Sequence, residues 1–427
     1  MNRRDLLKNL AAAAATFSGY RAAYGDVFRA TAAPQRKKVK ITDLKAMVVR
    51  GNVAWNMVRI ETDSGITGIG EAYWGRGVKE VILGYLRPLV VGQDPLDIEP
   101  LYTKMVRFTG GAGSQAGVTV TAISGVEIAL WDLAGKILDV PVCKLLGGQY
   151  HDGIRAYWTT SPKDMLDPVS CREFAAALKS HPFGITAVKS DADLFPAKYD
   201  PQFREPGHEP DSSHLTRKDL SRIAQGFANL REAVGEDVDI AVHCHWQFDW
   251  IDALELARAV APIKPMWLED PMPPDYSESW SKLTAASPVP ILTGENLYKR
   301  QGFWPFILNQ GCHLIQIDIP KAGGLLESKK IADLAELYQL PVCAHNVASP
   351  VGSLASAHCA AAIRDFRAQE FAPGNAANTE IWEKAVIYDG PVIKDGKYQI
   401  HDKPGLGVEL NEDFLRTHLM QGETWWG

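Results

Sequence analysis

Paired cysteine chemistry is the first thing this chain lacks. Its six cysteines (Cys143, Cys171, Cys244, Cys312, Cys343 and Cys359) are scattered, with no C-x-x-C pair among them. That spacing excludes a disulfide framework and reads them as small buried residues. Long basic runs are missing too. Acidic residues outnumber basic ones, 51 to 45, for a formal net charge of −6. No cluster of Lys and Arg can track a phosphate backbone, so no nucleic-acid partner is expected. What the chain has is an ordinary packed composition, 46% hydrophobic and 22% charged over 427 residues. That is too long for one ordinary core and about right for two domains.

The first 36 residues differ from the rest. Arg3-Arg4 precede Leu6, Leu7 and Lys8, then a weakly apolar, alanine-rich stretch from Leu10 to Tyr20. Ala30-Thr31-Ala32 offers a small-x-small cleavage site. The apolar stretch is too short and too mild to span a bilayer. It resembles a twin-arginine export signal, although Leu6 stands where Phe is usual and Asn2 where Ser or Thr is. Residues 1–36 are therefore expected to be an export signal and linker. The mature protein would be periplasmic, without membrane contact, or cytoplasmic if the signal is not used.

From Lys37 to about residue 150, alternating strands at Val39–Val49, Met57–Thr62 and Thr67–Glu71 precede helical stretches at Val78–Val91 and Ala122–Leu138. Strands first and helices after suggest an α+β unit. From His151 the rhythm changes. Short apolar runs recur at roughly 25-residue intervals, except after the second, each ending in polar residues and followed by a helix-like segment. They are Ile154–Thr159, Ile185–Lys189, Asp239–His243, Pro265–Glu269, Val289–Gly294, Leu314–Asp318, Leu340–Ala344 and Arg367–Phe371. Eight such runs over residues 151–384 fit a (β/α) barrel. The stretch Ala192–Arg217, rich in Pro, Asp and His, reads as a long loop at the barrel mouth. Residues 385–427 revert to turns and short strands and are expected to pack on the first domain.

Barrel active sites sit at the C-terminal ends of the strands. The run ends give Lys189 and Asp191, His243 and His245, Glu269, Glu295, Asp318, His345 and Glu370, all ionisable. Strands feeding a barrel core are mostly Val, Ile and Leu. Several buried carboxylates converging on one mouth call for a cation. One interval of 26 residues separates His243 from Glu269, and the same interval separates Glu269 from Glu295. Three ligands on adjacent strands at equivalent heights follow from it, with water and substrate oxygens completing six-fold coordination. His243 and His245 are two apart, which places them on one strand face with Cys244 on the other.

These residues sit in recognisable motifs. Trp267-Leu268-Glu269-Asp270-Pro271 and Thr293-Gly294-Glu295-Asn296 resemble the second and third metal-ligand motifs of the mandelate racemase group of the enolase superfamily. Ile317-Asp318 with Lys321-Ala322-Gly323-Gly324, then Ala344-His345-Asn346, resemble its Asp–His catalytic dyad, and Glu370 its eighth-strand Glu. Thr121–Leu133 resembles the long helix of its capping domain. The resemblance spans roughly residues 37–410. It implies a (β/α)7β TIM-like barrel with an α+β capping domain, a small carboxylate substrate and a homo-oligomer. Within the group the chain is most similar to galactonate and mannonate dehydratases, which place a His where His245 stands. Lys189-Ser190-Asp191 replaces the Lys-x-Lys of racemases and cycloisomerases, so the usual second-strand lysine base is missing.

One departure matters. The family's first metal ligand is Asp, and here it is His243. His243, Glu269 and Glu295 are expected to hold one divalent ion, normally Mg2+. Imidazole shifts preference towards Mn2+ or a later transition ion, and Asp191 can restore the missing charge. The alternative is that His243 only fills space. The resemblance casts His345 as the base supported by Asp318, His245 as the acid, and Glu370 as a hydrogen-bond partner of the substrate carboxylate. Tyr73-Trp74 resembles the family's substrate-covering loop, and Trp246 adds an aromatic face suited to a polyol. The implied reaction removes the proton α to a carboxylate and expels water from a sugar acid, giving a 2-keto-3-deoxy acid. Two alternatives stand beside it. One is epimerisation with His345 opposed by Asp191 or Lys189. The other is a catalytically degenerate sugar-acid-binding protein.

Overall fold

A computed structural model describes residues 39–199 and 214–426. The export expectation, on residues 1–36, lies outside them, as does part of the mouth loop. The described part of that loop includes a short helix, Leu194–Tyr199.

The first unit is a three-stranded antiparallel sheet, β1 (Ile41–Arg50), β2 (Ala54–Thr62) and β3 (Thr67–Ala72), covered by the helix Val118–Leu138. By length and composition that helix could cross a membrane, yet 89% of its apolar window is buried inside the protein. It is apolar nearly all round because it is sandwiched between the sheet and the barrel helices. Contact with β3 is close enough to require glycine. A Cβ on Gly68 would lie 2.2 Å from the Ala129 carbonyl oxygen, and one on Gly125 2.7 Å from Ala72 Cβ.

The second unit is a closed barrel of eight parallel strands: β4 (Gly153–Thr159), β5 (Ala187–Asp191), β6 (Asp239–His243), β7 (Leu268–Glu269), β8 (Ile291–Thr293), β9 (Leu314–Asp318), β10 (Val342–His345) and β11 (Phe366–Phe371). Each pairs with the next, and β11 pairs with β4 to close the ring. Helices make the seven crossovers. All eight expected runs are strands, shifted by a few residues at most. Tyr157, Ala187, Ala241, Trp267, Leu292, Leu314, Cys343 and Ala368, one from each strand or its edge, form a separate apolar cluster. It is the floor on which the mouth residues stand, with Tyr157 and Trp267 filling the space left by three alanines. All six cysteines are buried and unpaired.

The tail reaches further than the first domain. Its strands are β12 (Val386–Ile387), β13 (Ile393–Lys394), β14 (Lys397–Gln399) and β15 (Glu409–Leu410). β14 runs antiparallel to β4 of the barrel, pairing Gln399 with Gly153. The end of the chain then crosses to β1, where Arg50 N donates to His418 O at 2.7 Å and Met420 N to Val48 O at 2.9 Å.

His358, fully buried on the helix Pro350–Ala361, ties three segments together. Its Nδ1 accepts from Cys143 N at 3.4 Å, so its Nε2–H donates to Leu406 O at 3.2 Å. Burial holds its pKa at about 4, against the pull of the Leu406 carbonyl. The unfolded chain therefore takes up this proton first, so stability is intact above pH 6.5 and falls as pH drops towards 4. In His358→Gln the loss of unfolding free energy between pH 7 and pH 4 should be smaller by about 3 kcal/mol. Denaturant titrations at the two pH values check this, and an unchanged difference would contradict it.

Candidate active site

Strand register assembles the site. Asp318 and His345 are direct partners across β9 and β10, and His345 Nδ1 lies 2.6 Å from Asp318 Oδ2. That bond turns Nε2 inward, 3.6 Å from both Glu295 Oε2 and Glu370 Oε2. Burial alone would lower the His345 pKa. The Glu295 and Glu370 carboxylates and the Asp318 bond outweigh it and raise the imidazole to about 9.

Asp191, His243 and Glu269 are successive register partners across β5, β6 and β7. His243 Nδ1 is 3.4 Å from Asp191 Oδ1, while Nε2 is 3.8 Å from both Glu269 Oε1 and Glu295 Oε2. Carboxylate on one ring nitrogen and open donor on the other is the arrangement of ligating histidines. Glu295 is not at the equivalent height that its spacing suggested. Glu269 pairs with Leu292, and Glu295 lies in the turn beyond β8. Gly294, at φ 137°, makes that turn, and a Cβ there would sit 2.3 Å from the Gln316 carbonyl oxygen. The bend brings Glu295 Oε2 to 3.8 Å from His243 Nε2 and 3.6 Å from His345 Nε2.

His243, Glu269, Asp270 and Glu295 each offer a donor atom within 4.8 Å of the others. His243 Nε2 and Glu295 Oε2 are buried without a hydrogen-bond partner. Orphaned donor atoms aimed at one point, with carboxylates around them, fit a divalent cation. Asp270 completes the wall. Burial, then Glu295 and Glu269, lift its carboxyl to about 7, and Thr293 Oγ1 donates to it at 2.5 Å.

Lys189 does not pair with Asp191, its neighbour two residues on. Its ammonium is 1% exposed and lies 2.6 Å from Glu269 Oε1 and 2.8 Å from Glu370 Oε1. Barrel closure brings β11 beside β4, so the lysine on β5 meets residues far along the chain, two strands away on either side. Both ammonium contacts are internal, which leaves Lys189 enclosed between two of the mouth carboxylates. Glu370 is equally committed: Thr159 Oγ1 donates to Oε1, and Asn346 N to Oε2 at 3.1 Å.

His245 does not lie on a strand. β6 ends at His243, and His245 and Trp246 follow at φ 44° and 64°. Two consecutive non-glycine residues in left-handed backbone are costly, and such strain collects at functional sites. The turn stacks the His245 ring on His243, with centroids 3.8 Å apart, and sets Nδ1 3.1 Å from Asp193. In the ring of eight, β6 and β10 are four strands apart, so His245 and His345 approach the mouth from opposite sides.

Tyr73 covers His345, ring centroids 6.0 Å apart, and its N donates to Pro320 O at 3.1 Å. Burial, with the Asp318 and Glu295 charges, raises its hydroxyl pKa well above the usual range. Trp74, beside it, is 50% exposed. Trp246 packs edge-on to His245 at 5.8 Å, and its indole nitrogen is buried and unpartnered.

Several participants had no role in the sequence reading. Asp193 lay in the segment read as loop. Asp270 and Lys321 stood inside quoted motifs but without a function. Lys321 Nζ donates to Asn296 Oδ1 at 2.5 Å and lies 4.8 Å from the centre of the Tyr73 ring.

A closed barrel whose strand ends carry a buried acid cluster and a His–Asp dyad, beneath an α+β cap, defines the enolase class of barrel. Two family models match: "Mandelate racemase / muconate lactonizing enzyme, N-terminal domain" over residues 29–147, and "Enolase C-terminal domain-like" over residues 174–414. The chain belongs to this family. A D-xylonate dehydratase of Haloferax volcanii is 38% identical over 91% of each chain. A D-galactonate dehydratase of Pectobacterium atrosepticum is 29% identical over 87% of this chain and 92% of its own. The crystal structure of a mandelate racemase/muconate lactonizing enzyme-like protein from Rubrobacter xylanophilus superposes with a TM-score of 0.82. It is 33% identical and covers 91% of this chain and 99% of its own.

Because imidazole must lose its proton to ligate, cation binding through His243 should weaken steeply as pH falls. A carboxylate ligand keeps its affinity further into acid. His243→Asp should therefore hold Mg2+ to lower pH and move preference from Mn2+ back towards Mg2+. Calorimetric titration of both ions into wild type and variant at two pH values reads this. Identical preference and pH dependence would show that His243 is a filler.

Proposed function

We propose that this protein is a sugar-acid dehydratase. One arrangement carries the reading: His345, held by Asp318, ends β10, and His245, held by Asp193, follows β6 four strands round the ring, the first beside Glu295 and the second stacked on His243 of the same cluster. A base on one side and an acid on the other is what elimination needs. The dehydratase names of the relatives support the same class.

A proton α to a carboxylate is weakly acidic, and its removal leaves an enediolate with charge on both oxygens. A divalent cation held by His243, Glu269 and Glu295, Mg2+ or Mn2+, supplies the positive charge that stabilises that charge. Such a cation also offsets the Glu295 charge that raises His345, bringing the imidazole back towards its working range as a base. His345 Nε2 takes the C2 proton. The bond from Asp318 fixes the tautomer that leaves Nε2 free and stabilises the imidazolium that forms. The enediolate collapses by breaking the C3–O bond. His245 gives its proton to the departing hydroxyl, which leaves as water. The resulting enol takes a proton at C3 to become a 2-keto-3-deoxy acid. Lys189, sealed between Glu269 and Glu370, is not available as an opposed base, which speaks against lysine-based epimerisation. Tyr73 and Trp74 screen the site from water, and the Trp246 indole N–H is a free donor for a substrate hydroxyl.

The test is a panel of D-xylonate, D-galactonate and D-mannonate with metal-loaded enzyme in deuterated water. Wild type should lose water from at least one of them. His345→Asn should abolish both turnover and deuterium incorporation at C2. Asp318→Asn should be slower by about 10- to 100-fold. Retained mass with deuterium at C2 would make the protein an epimerase. No reaction in any of the three, with metal bound, would count against the reading.

A further inference from the structure

His345 ends β10, and the four residues after it, Asn346 to Ser349, form no regular structure before the helix Pro350–Ala361 begins. A base on such a segment is placed only as well as the segment is held. Each of the four is tied. Asn346 Nδ2 donates to Ser353 Oγ at 2.8 Å and to Glu370 O at 3.1 Å. The Val347 carbonyl accepts from Asn52 Nδ2 at 2.9 Å, and the Ala348 carbonyl from Trp382 Nε1 at 3.0 Å. Ser349 N donates to Glu71 Oε1 at 3.0 Å, its hydroxyl to Oε2, and Gly352 N to Oε2 at 3.0 Å.

Two of these anchors, Asn52 and Glu71, belong to the capping domain. Neither is a surface contact of convenience. Glu71, 1% exposed, reaches from β3 into the first turn of the barrel helix, where the Ser349 and Gly352 amides donate to it. Helix and acid meet through a gap that only glycine leaves. A Cβ on Gly352 would stand 2.9 Å from Glu71 Oε2 and 2.6 Å from Ala348 Cβ. Asn52 is itself oriented by Trp55, whose indole donates to its Oδ1 at 2.9 Å, and it also donates to Ala372 O at 2.7 Å. It thus joins the segment after His345 to the one after Glu370. Two residues beyond Glu71 comes Tyr73, whose ring covers the same imidazole.

We propose that Glu71 and Asn52 are positioning residues for His345: the capping domain, besides covering the substrate, fixes the imidazole through the backbone of residues 347–352. This rests on the reading of His345 as the base. Glu71→Gln offers one acceptor oxygen where the structure uses two, so it should release Ser349 or Gly352 without emptying the space.

The test uses full-length, metal-loaded protein with metal content measured for each variant. In Glu71→Gln, amide exchange in the peptide 345–353 should accelerate at least about tenfold while β8 and β9 stay protected. With whichever of D-xylonate, D-galactonate or D-mannonate the wild type consumes, kcat per metal-loaded site should fall on the order of 10²-fold. KM should move by less than about threefold, because substrate contacts are untouched. A merely structural residue would lower the melting temperature and leave kcat per loaded site unchanged. Asn52→Ala, at a half-buried position, gives the same readouts should Glu71→Gln fail to fold. Unchanged kcat per loaded site, or a lowered kcat with residues 345–353 still protected, would overturn the proposal. If wild type consumes none of the three acids, the functional reading fails separately, and unchanged exchange in 345–353 then overturns this one alone.

Discussion

Five carboxylates, Asp191, Glu269, Glu295, Asp318 and Glu370, crowd the C-terminal mouth of one barrel, and most of them are buried. Like charges in a dry site repel by several kcal/mol per close pair, and each resists losing its water. The surrounding structure is organised around that constraint. Lys189 is buried to serve two of the five, while Asp318 is bonded to His345 and Asp191 faces His243. Glu295 keeps an oxygen with no protein partner, pointing where His243 Nε2 also points. Asp191, Asp270 and Asp318 each keep one bare oxygen as well, and a site this rich in unpartnered acceptors around one imidazole nitrogen is shaped for a cation. The same crowding sets the chemistry, since the charges that would over-stabilise imidazolium at His345 are those a cation offsets.

The eight-strand barrel and the ionisable residues at its strand ends were legible in the sequence, because strand periodicity and the polar run ends are local signals. His345 and Asp318 could be paired from motif order alone, and register then supplied the bond between them. Height was not legible. The equal spacing of His243, Glu269 and Glu295 implied one level, but Gly294 turns the chain so that Glu295 comes in from above. Strand alternation also misjudged His245, whose position follows from two left-handed residues after β6 has ended. Contacts across the ring were out of reach. No local pattern says that Lys189 meets Glu370, or that Asp193 within a loop supports His245. Those facts exist only once β11 closes on β4.

The capping domain shows the same limit. Nothing local in the sequence says what Glu71, Glu127 and Asp132 contact. All three are buried acceptors, Glu71 and Glu127 between cap and barrel and Asp132 between β3 and the tail. Glu127 takes the Leu325 and Leu326 amides at the start of one barrel helix, Glu71 those of Ser349 and Gly352 at the start of another, and Asp132 those of Ile69 and Leu406. The helices concerned follow β9 and β10, the strands that carry the dyad. Cap and barrel are therefore joined at the catalytic strands by Glu127 and Glu71, which accept the first amides of the helices that follow them.

The central claim is the place of the cation, and two donor sets compete for it. One joins His243 with Glu269, Asp270 and Glu295, and the other joins Asp191, His243 and His245 on the outer side of the same imidazole. Anomalous diffraction from crystals loaded with Mn2+ distinguishes them without reference to activity. The account predicts a single strong peak at bonding distance from His243 Nε2 and from the Glu269 and Glu295 carboxylates. A peak beside His243 Nδ1, between Asp191 and His245, or no peak in the cluster at all, would contradict it.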